Sequence, residues 1–222
     1  SNASGNDSVS IGESSRASGA DSIAVGTSSR ASGARSSAYG FAANASATDS
    51  LAIGMTAKAE ASQSTATGYQ ANANATQSNA FGLYAKTTGV QSTALGAFSR
   101  TTATQSLAMG YGACASGSNS TAIGGKYSWT WGRSGFTAVG NSDDGTGKPA
   151  QAGIQVLRKT TAAASAALLT WDAAAASASN SIPLQNNSAM ALDITIIGHQ
   201  DDLSNSVVLQ VKGALIKRGA NA

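Results

Sequence analysis

The sequence predicts an all-β chain: a rod of stacked coils, followed by a second, β-rich domain. Three observations predict it. A glycine returns every fourteen residues, at Gly12, Gly26, Gly40, Gly54, Gly68, Gly82, Gly96, Gly110 and Gly124. In most copies it ends the phrase Ser-x-Ala-apolar-Gly, as in Ser22-Ile23-Ala24-Val25-Gly26 and Ser92-Thr93-Ala94-Leu95-Gly96. Beyond about residue 150 the repeat is gone and runs rich in β-branched residues take its place. A fixed period over many copies marks an architecture in which each unit buries its surface only against its neighbours.

Within one repeat, the residues four and two before the glycine are Ser and Ala, as in Ser64 and Ala66. Those three, five and seven after it are again small, as in Ser15, Ala17 and Gly19. Alternation of this kind is the period-two signature of strands. Two short strands per unit, each turning small residues inward, make a flattened coil with a thin interior, and the glycine permits the tight corner. At about 4.8 Å per coil, nine or ten coils give a rod roughly 45 Å long.

The larger apolar residues sit one before the glycine: Ile11, Val25, Tyr39, Ile53, Phe81, Leu95, Met109 and Ile123. They share parity with Val9, Ile23, Leu51 and Leu107, so they line the opposite, outward face of the same strand. Phe41, Met55, Tyr69, Leu83 and Tyr111, just after the glycine, add to it. Monomers rarely expose such a stripe, and closed homo-oligomers bury it around an axis. We therefore assign Ile11, Val25, Ile53, Phe81, Leu95, Met109 and Ile123 to the core of an oligomer.

The phrase and its spacing resemble the YadA-like head repeats of trimeric autotransporter adhesins across about residues 1–140. That resemblance implies a left-handed parallel β-roll in a homotrimer. The register breaks after Gly124, and a last echo, Phe136-Thr137-Ala138-Val139-Gly140, arrives sixteen residues later. Turn-rich residues 141–149 read as a linker and 150–222 as the second domain, with strands expected at 155–159, 167–171, 191–197 and 206–216. Thr160-Thr161, Leu169-Thr170-Trp171-Asp172, the run Ile182 to Ala189, Asp193 to Ile196 and Lys212 to Arg218 together resemble a C-terminal module of phage tail-fibre proteins. More strands normally follow in that module, so the copy here is either cut short or a shorter variant.

Composition narrows the function. A net charge of +3 gives no case for nucleic acid. No apolar stretch is long enough to span a membrane. With neither an initial Met nor a leader, the chain reads as a segment of a longer one. Cys114 has no internal disulfide partner, and His199 has no second ligand nearby for a metal. Glycan hydrolysis needs paired carboxylates, but the two glutamates, Glu13 and Glu60, fall in repeat loops, and Asp143-Asp144 and Asp201-Asp202 sit in turn-like contexts. The expectation is no enzyme and no cofactor.

Two features suit a ligand. Four residues after successive glycines stand Arg16, Arg30, Asn44, Lys58, Asn72, Lys86, Arg100 and Cys114, a partly basic outer ladder. It would attract an anionic bacterial surface glycan, or keep a long β surface soluble and unpaired. Tyr127, Trp129 and Trp131 alternate along one strand side. They would stack on sugar rings, or plug the end of the coil where the small residues stop. Together these features lead to an expected role as a structural and adhesive part of a phage or prophage tail fibre, located in the virion tail. The alternative is a bacterial surface adhesin head that binds host matrix; a capsule depolymerase comes third.

Overall fold

The computed structural model describes residues 1–124, 128–130, 132, 134–143, 149–155, 188–199 and 206–217. The described residues contain strands and turns and no helix. They fall into two compact units, Ser1–Ala175 and Ala176–Ala222.

The first unit is a parallel β-roll. Each fourteen-residue coil makes one two-residue strand, such as Arg16–Ala17, and one three-residue strand, such as Ile23–Val25. The two-residue strands stack into a nine-stranded narrow sheet, and the three-residue strands into a wide sheet. Every parallel pair from Asn2 to Ile123 keeps one offset, so Ala24 faces Ala38, Ala38 faces Ala52, and so on. The fourteen-residue period is therefore the hydrogen-bond register itself.

Backbone bonding continues around both corners. The Gly26 N–H donates to Ile11 O at 2.8 Å, and the Asp21 N–H donates to Asn6 O at 2.8 Å. This gives the thin roll a partner for backbone groups that an open corner would strand. The periodic glycines hold φ between +122° and +132°, a region side chains rarely adopt. They also stack on one another: a Cβ on Gly54 would lie 2.5 Å from the carbonyl oxygen of Gly68.

Four interior positions recur in each coil, and Ala, Ser and a few Thr fill them. Ala17, Ala24, Ser22 and Ser15 occupy them in one coil, all at most 1% exposed. The serines have a duty that smallness alone does not convey. Ser15 Oγ donates to Gly12 O at 2.9 Å and Ser22 Oγ donates to Gly19 O at 2.6 Å, each bracing the corner three residues back. Each coil is thus two similar seven-residue halves, corner then strand. In two coils Thr87 and Thr101 replace Ala and bond to the inner serines: Thr87 Oγ1 donates to Ser78 Oγ at 2.9 Å, and Thr101 Oγ1 lies 2.8 Å from Ser92 Oγ.

The second corner holds its own column. Asp7, Asp21, Arg35, Asp49, Gln63, Gln77, Gln91, Gln105 and Asn119 all adopt positive φ there. Arg35 forks onto Asp49 at 2.6 and 2.9 Å, which holds the Asp49 carboxyl below its usual range. Gln77, Gln91 and Gln105 each donate to the glutamine one coil before, at 3.0, 3.0 and 3.3 Å.

The last echo of the repeat joins the wide sheet as expected. Phe136–Asp143 pairs in parallel with Thr121–Gly124, Gly124 facing Gly140, so the two extra residues are absorbed before the strand. Pro149–Gln155 then adds antiparallel to Phe136–Asp143. Residues 141–143 and 149, read from the sequence as linker, are thus strand residues, and the first unit runs past that segment. In the second unit Ser188–His199 and Ser206–Lys217 form an antiparallel hairpin; the first strand is longer at both ends than the 191–197 expected, and the second starts at 206 as expected and runs one residue further. The strand expected at 167–171, nearly all of that at 155–159, and the run 181–187 lie outside the described residues.

Two substitutions probe these corners. Gly54→Ala imposes both a disfavoured φ and the carbonyl clash, and should lower stability by about 1–3 kcal/mol. Ser92→Ala leaves the buried Thr101 hydroxyl without its partner and should cost about 1–3 kcal/mol. Denaturant unfolding followed by circular dichroism measures both.

Candidate functional site

The roll presents two outer faces of opposite character. On the wide sheet, the residues before the glycines align in one column: Ile11, Val25, Tyr39, Ile53, Thr67, Phe81, Leu95, Met109, Ile123 and then Val139. Within one chain Ile11, Tyr39, Ile53, Leu95, Met109 and Val139 of this column are 36–59% exposed, and Val25, Thr67, Phe81 and Ile123 are half-buried. The structure thus brings all seven assigned core residues, Ile11, Val25, Ile53, Phe81, Leu95, Met109 and Ile123, onto one apolar face.

The corner beside this face adds a row the sequence reading found only in part. Tyr69, Tyr84, Phe98 and Tyr111 follow one another with ring centroids 5.4, 5.3 and 5.5 Å apart. Tyr69 and Tyr111 were legible as post-glycine residues. Tyr84 and Phe98 come one residue later in their coils, at φ +55° and +58°. Their spacing from the other two aromatics, thirteen to fifteen residues, is the signal that marks them.

On the narrow sheet the basic ladder forms as expected. Arg16, Arg30, Asn44, Lys58, Asn72, Lys86, Arg100 and Cys114 pair coil on coil, with the five cations exposed. Beside it runs a polar row that includes Ser18, Ser32, Thr88, Thr102 and Ser116, with Glu60 as its one acid.

The aromatic segment departs from the plug reading at Trp129. Cys114 bridges in parallel to Trp129, so Trp129 takes the next rung of the outer ladder and is 40% exposed. Ser128 and Thr130, both buried, fill the interior of that coil instead. The Cys114 N–H donates to Ser128 O at 2.7 Å, the Thr130 N–H donates to Cys114 O at 3.1 Å, and Thr130 Oγ1 accepts from the Ser116 N–H at 2.9 Å. Small polar residues thus keep the interior closed one coil longer than the repeat phrase lasts. Tyr127 and Trp131 lie outside the described residues.

Between the rungs of Arg100 and Trp129 the coil carrying Gly112, Cys114 and Ser116 is small, and a concavity opens there, lined also by Phe98, Thr102 and Tyr111. Burial pushes the Cys114 thiol above its usual range, and nearby Arg100 opposes the shift. Among the described residues no group of three His, Cys, Asp or Glu could hold a metal ion. His199 ends a strand opposite Ser206.

The raised thiol gives a test of this environment. A group with raised pKa stays protonated at neutral pH, so maleimide should label Cys114 more slowly than a free cysteine at pH 7. The rate should climb as pH rises, and Arg100→Gln should slow it further.

The sequence pattern of the family described as YadA head domain repeat (2 copies) matches residues 3–29, 31–57, 59–85, 73–99, 88–113 and 102–126. No curated protein matches the chain. The matched segments cover more than half of the chain and coincide with the coils of the roll. The chain belongs to the YadA head repeat family, and its roll is a structural repeat of adhesin type.

Proposed function

We propose that this chain is a structural and adhesive segment of a homotrimeric phage or prophage tail fibre. In this reading the roll is shaft or head, and the C-terminal β-rich module carries or forms the tip that meets a bacterial surface glycan. The observation that carries the oligomer is the apolar column from Ile11 to Val139, open along nearly the whole roll. A stripe of that length on a lone rod would drive association, and burial around a threefold axis satisfies three copies at once.

The tail-fibre assignment draws on the sequence of residues 160–218 and on the long hairpin within it. A second reading, the head of a bacterial trimeric autotransporter adhesin, is favoured by the family match itself. A depolymerase fits poorly. Glu13 and Glu60 lie three coils apart, about 14 Å along the axis at strand spacing. Paired glycosidase carboxylates stand about 5–9.5 Å apart. The chain is read as non-catalytic, without cofactor, and without a nucleic-acid or membrane partner in this segment.

Light scattering should give three copies of the 21.8 kDa chain. Ile53→Asp with Leu95→Asp should yield monomers or aggregates, and a monomeric wild type would overturn the trimer. Labelled protein should bind intact Gram-negative cells and lose that binding as salt rises. Binding only to immobilised collagen or fibronectin would transfer the assignment to the autotransporter head.

A further inference from the structure

We propose that the concavity around Cys114 on the narrow-sheet face is a binding site for an acidic sugar, a hexuronate unit of a bacterial surface polysaccharide. This rests on the adhesive reading above and gives it a location. Arg100, Cys114 and Trp129 are successive rungs of the ladder, so the guanidinium and indole rungs stand two strand spacings apart, about 9–10 Å. Cys114 and Gly112 form a low floor between them.

The wall chemistry matches such a ligand group by group. The indole of Trp129 suits the apolar C–H face of a pyranose ring. Arg100 offers a planar fork for a carboxylate. Ser116 accepts the Gly132 N–H at 2.8 Å, which leaves its own proton to donate to a sugar hydroxyl.

Charge selects the anion. From Ser62 to Gly124 the chain has no Asp or Glu, and its two cations, Lys86 and Arg100, both lie on this face. Among the described residues the nearest carboxylate on the same face, Glu60, is three coils from Arg100, about 14 Å along the axis. Salt screens it beyond about 8–10 Å. Elsewhere on the ladder the described rungs are charged or amide side chains; here an aromatic residue enters the row, beside the smallest rung. The site is therefore a feature of one coil and not a property of the repeat.

The test is titration of the full chain with tetragalacturonate and with neutral galactotetraose, by calorimetry and tryptophan fluorescence. Tetragalacturonate should bind, and the neutral sugar should be weaker by about tenfold or more. Trp129→Ala, Arg100→Gln and Cys114→Leu should each weaken tetragalacturonate by about tenfold or more. Arg16→Gln, on the same ladder six coils away, should stay within about twofold. Cys114→Leu removes no wall and only fills the floor, and equal melting temperatures exclude unfolding. Absence of tetragalacturonate binding, or equal losses for Arg16→Gln and Arg100→Gln, would overturn the site. A wild type that binds cells while Arg100→Gln and Cys114→Leu bind equally well would overturn the site and leave the adhesive function standing. The expected sugar pattern without cell binding would support the site and remove the tail-fibre reading.

Discussion

The interior of the roll is about one small side chain deep on each side, and the rest of the structure follows from that thinness. From Asn2 to Gly124 nothing larger than Thr is buried between the two sheets, as Ala24, Ser22 and Thr101 illustrate, and only in the last described coil does a larger residue, Phe136, take an interior place. A fold with so shallow a core gains little from apolar burial inside one chain. It relies instead on unbroken backbone pairing and on serine hydroxyls that brace corner carbonyls. The large apolar side chains of the repeats are thereby turned outward, so the same constraint that closes the chain upon itself leaves an apolar column outside.

The corners carry the second constraint. Stacked glycines come so close that no side chain could be inserted, and the second corner holds polar residues at positive φ. Non-glycine residues tolerate that region poorly on their own. Here each from Asp21 onward donates its backbone N–H to a carbonyl of the coil before it, at 2.7–3.0 Å, as Gln91 N–H does to Thr76 O at 3.0 Å. Rigidity is therefore distributed evenly along the rod, without a single nucleus that dominates it.

The features legible in the sequence are those that recur with the coil. The glycine period gave the register, and residue parity separated the interior from both outer faces, from Ala24 inward to Arg16 and Ile23 outward. What escaped were features that cross between coils or break the phase. The glutamine column joins partners that no single repeat displays, and the Ser-to-carbonyl bonds, though local, are hidden because an inward Ser reads the same whether it merely packs or also bonds. The sequence left Trp129 open between stacking on a ligand and plugging the coil, because alternation fixes only which residues share a side. It does not say whether that side is in or out, and once the phrase is lost no small-residue column remains to decide it. The turn-rich signature of residues 141–149 concealed strand ends, since the Pro149 strand lies at a sheet edge, where a missing N–H is tolerated.

The half-coil pseudo-symmetry bears on how such rods change length over evolutionary time. Removal of fourteen residues shortens the roll by one rung, and every column downstream stays in its place. Removal of seven would also leave a chain of corners and strands able to coil. Yet it would turn everything beyond the cut by half a revolution, carrying the arginines and lysines of the narrow sheet onto the apolar side and isoleucines and leucines onto the polar one. The local folding code permits both deletions, and the mismatch between neighbouring copies forbids the second. The length of a roll of this type is accordingly inherited in whole coils.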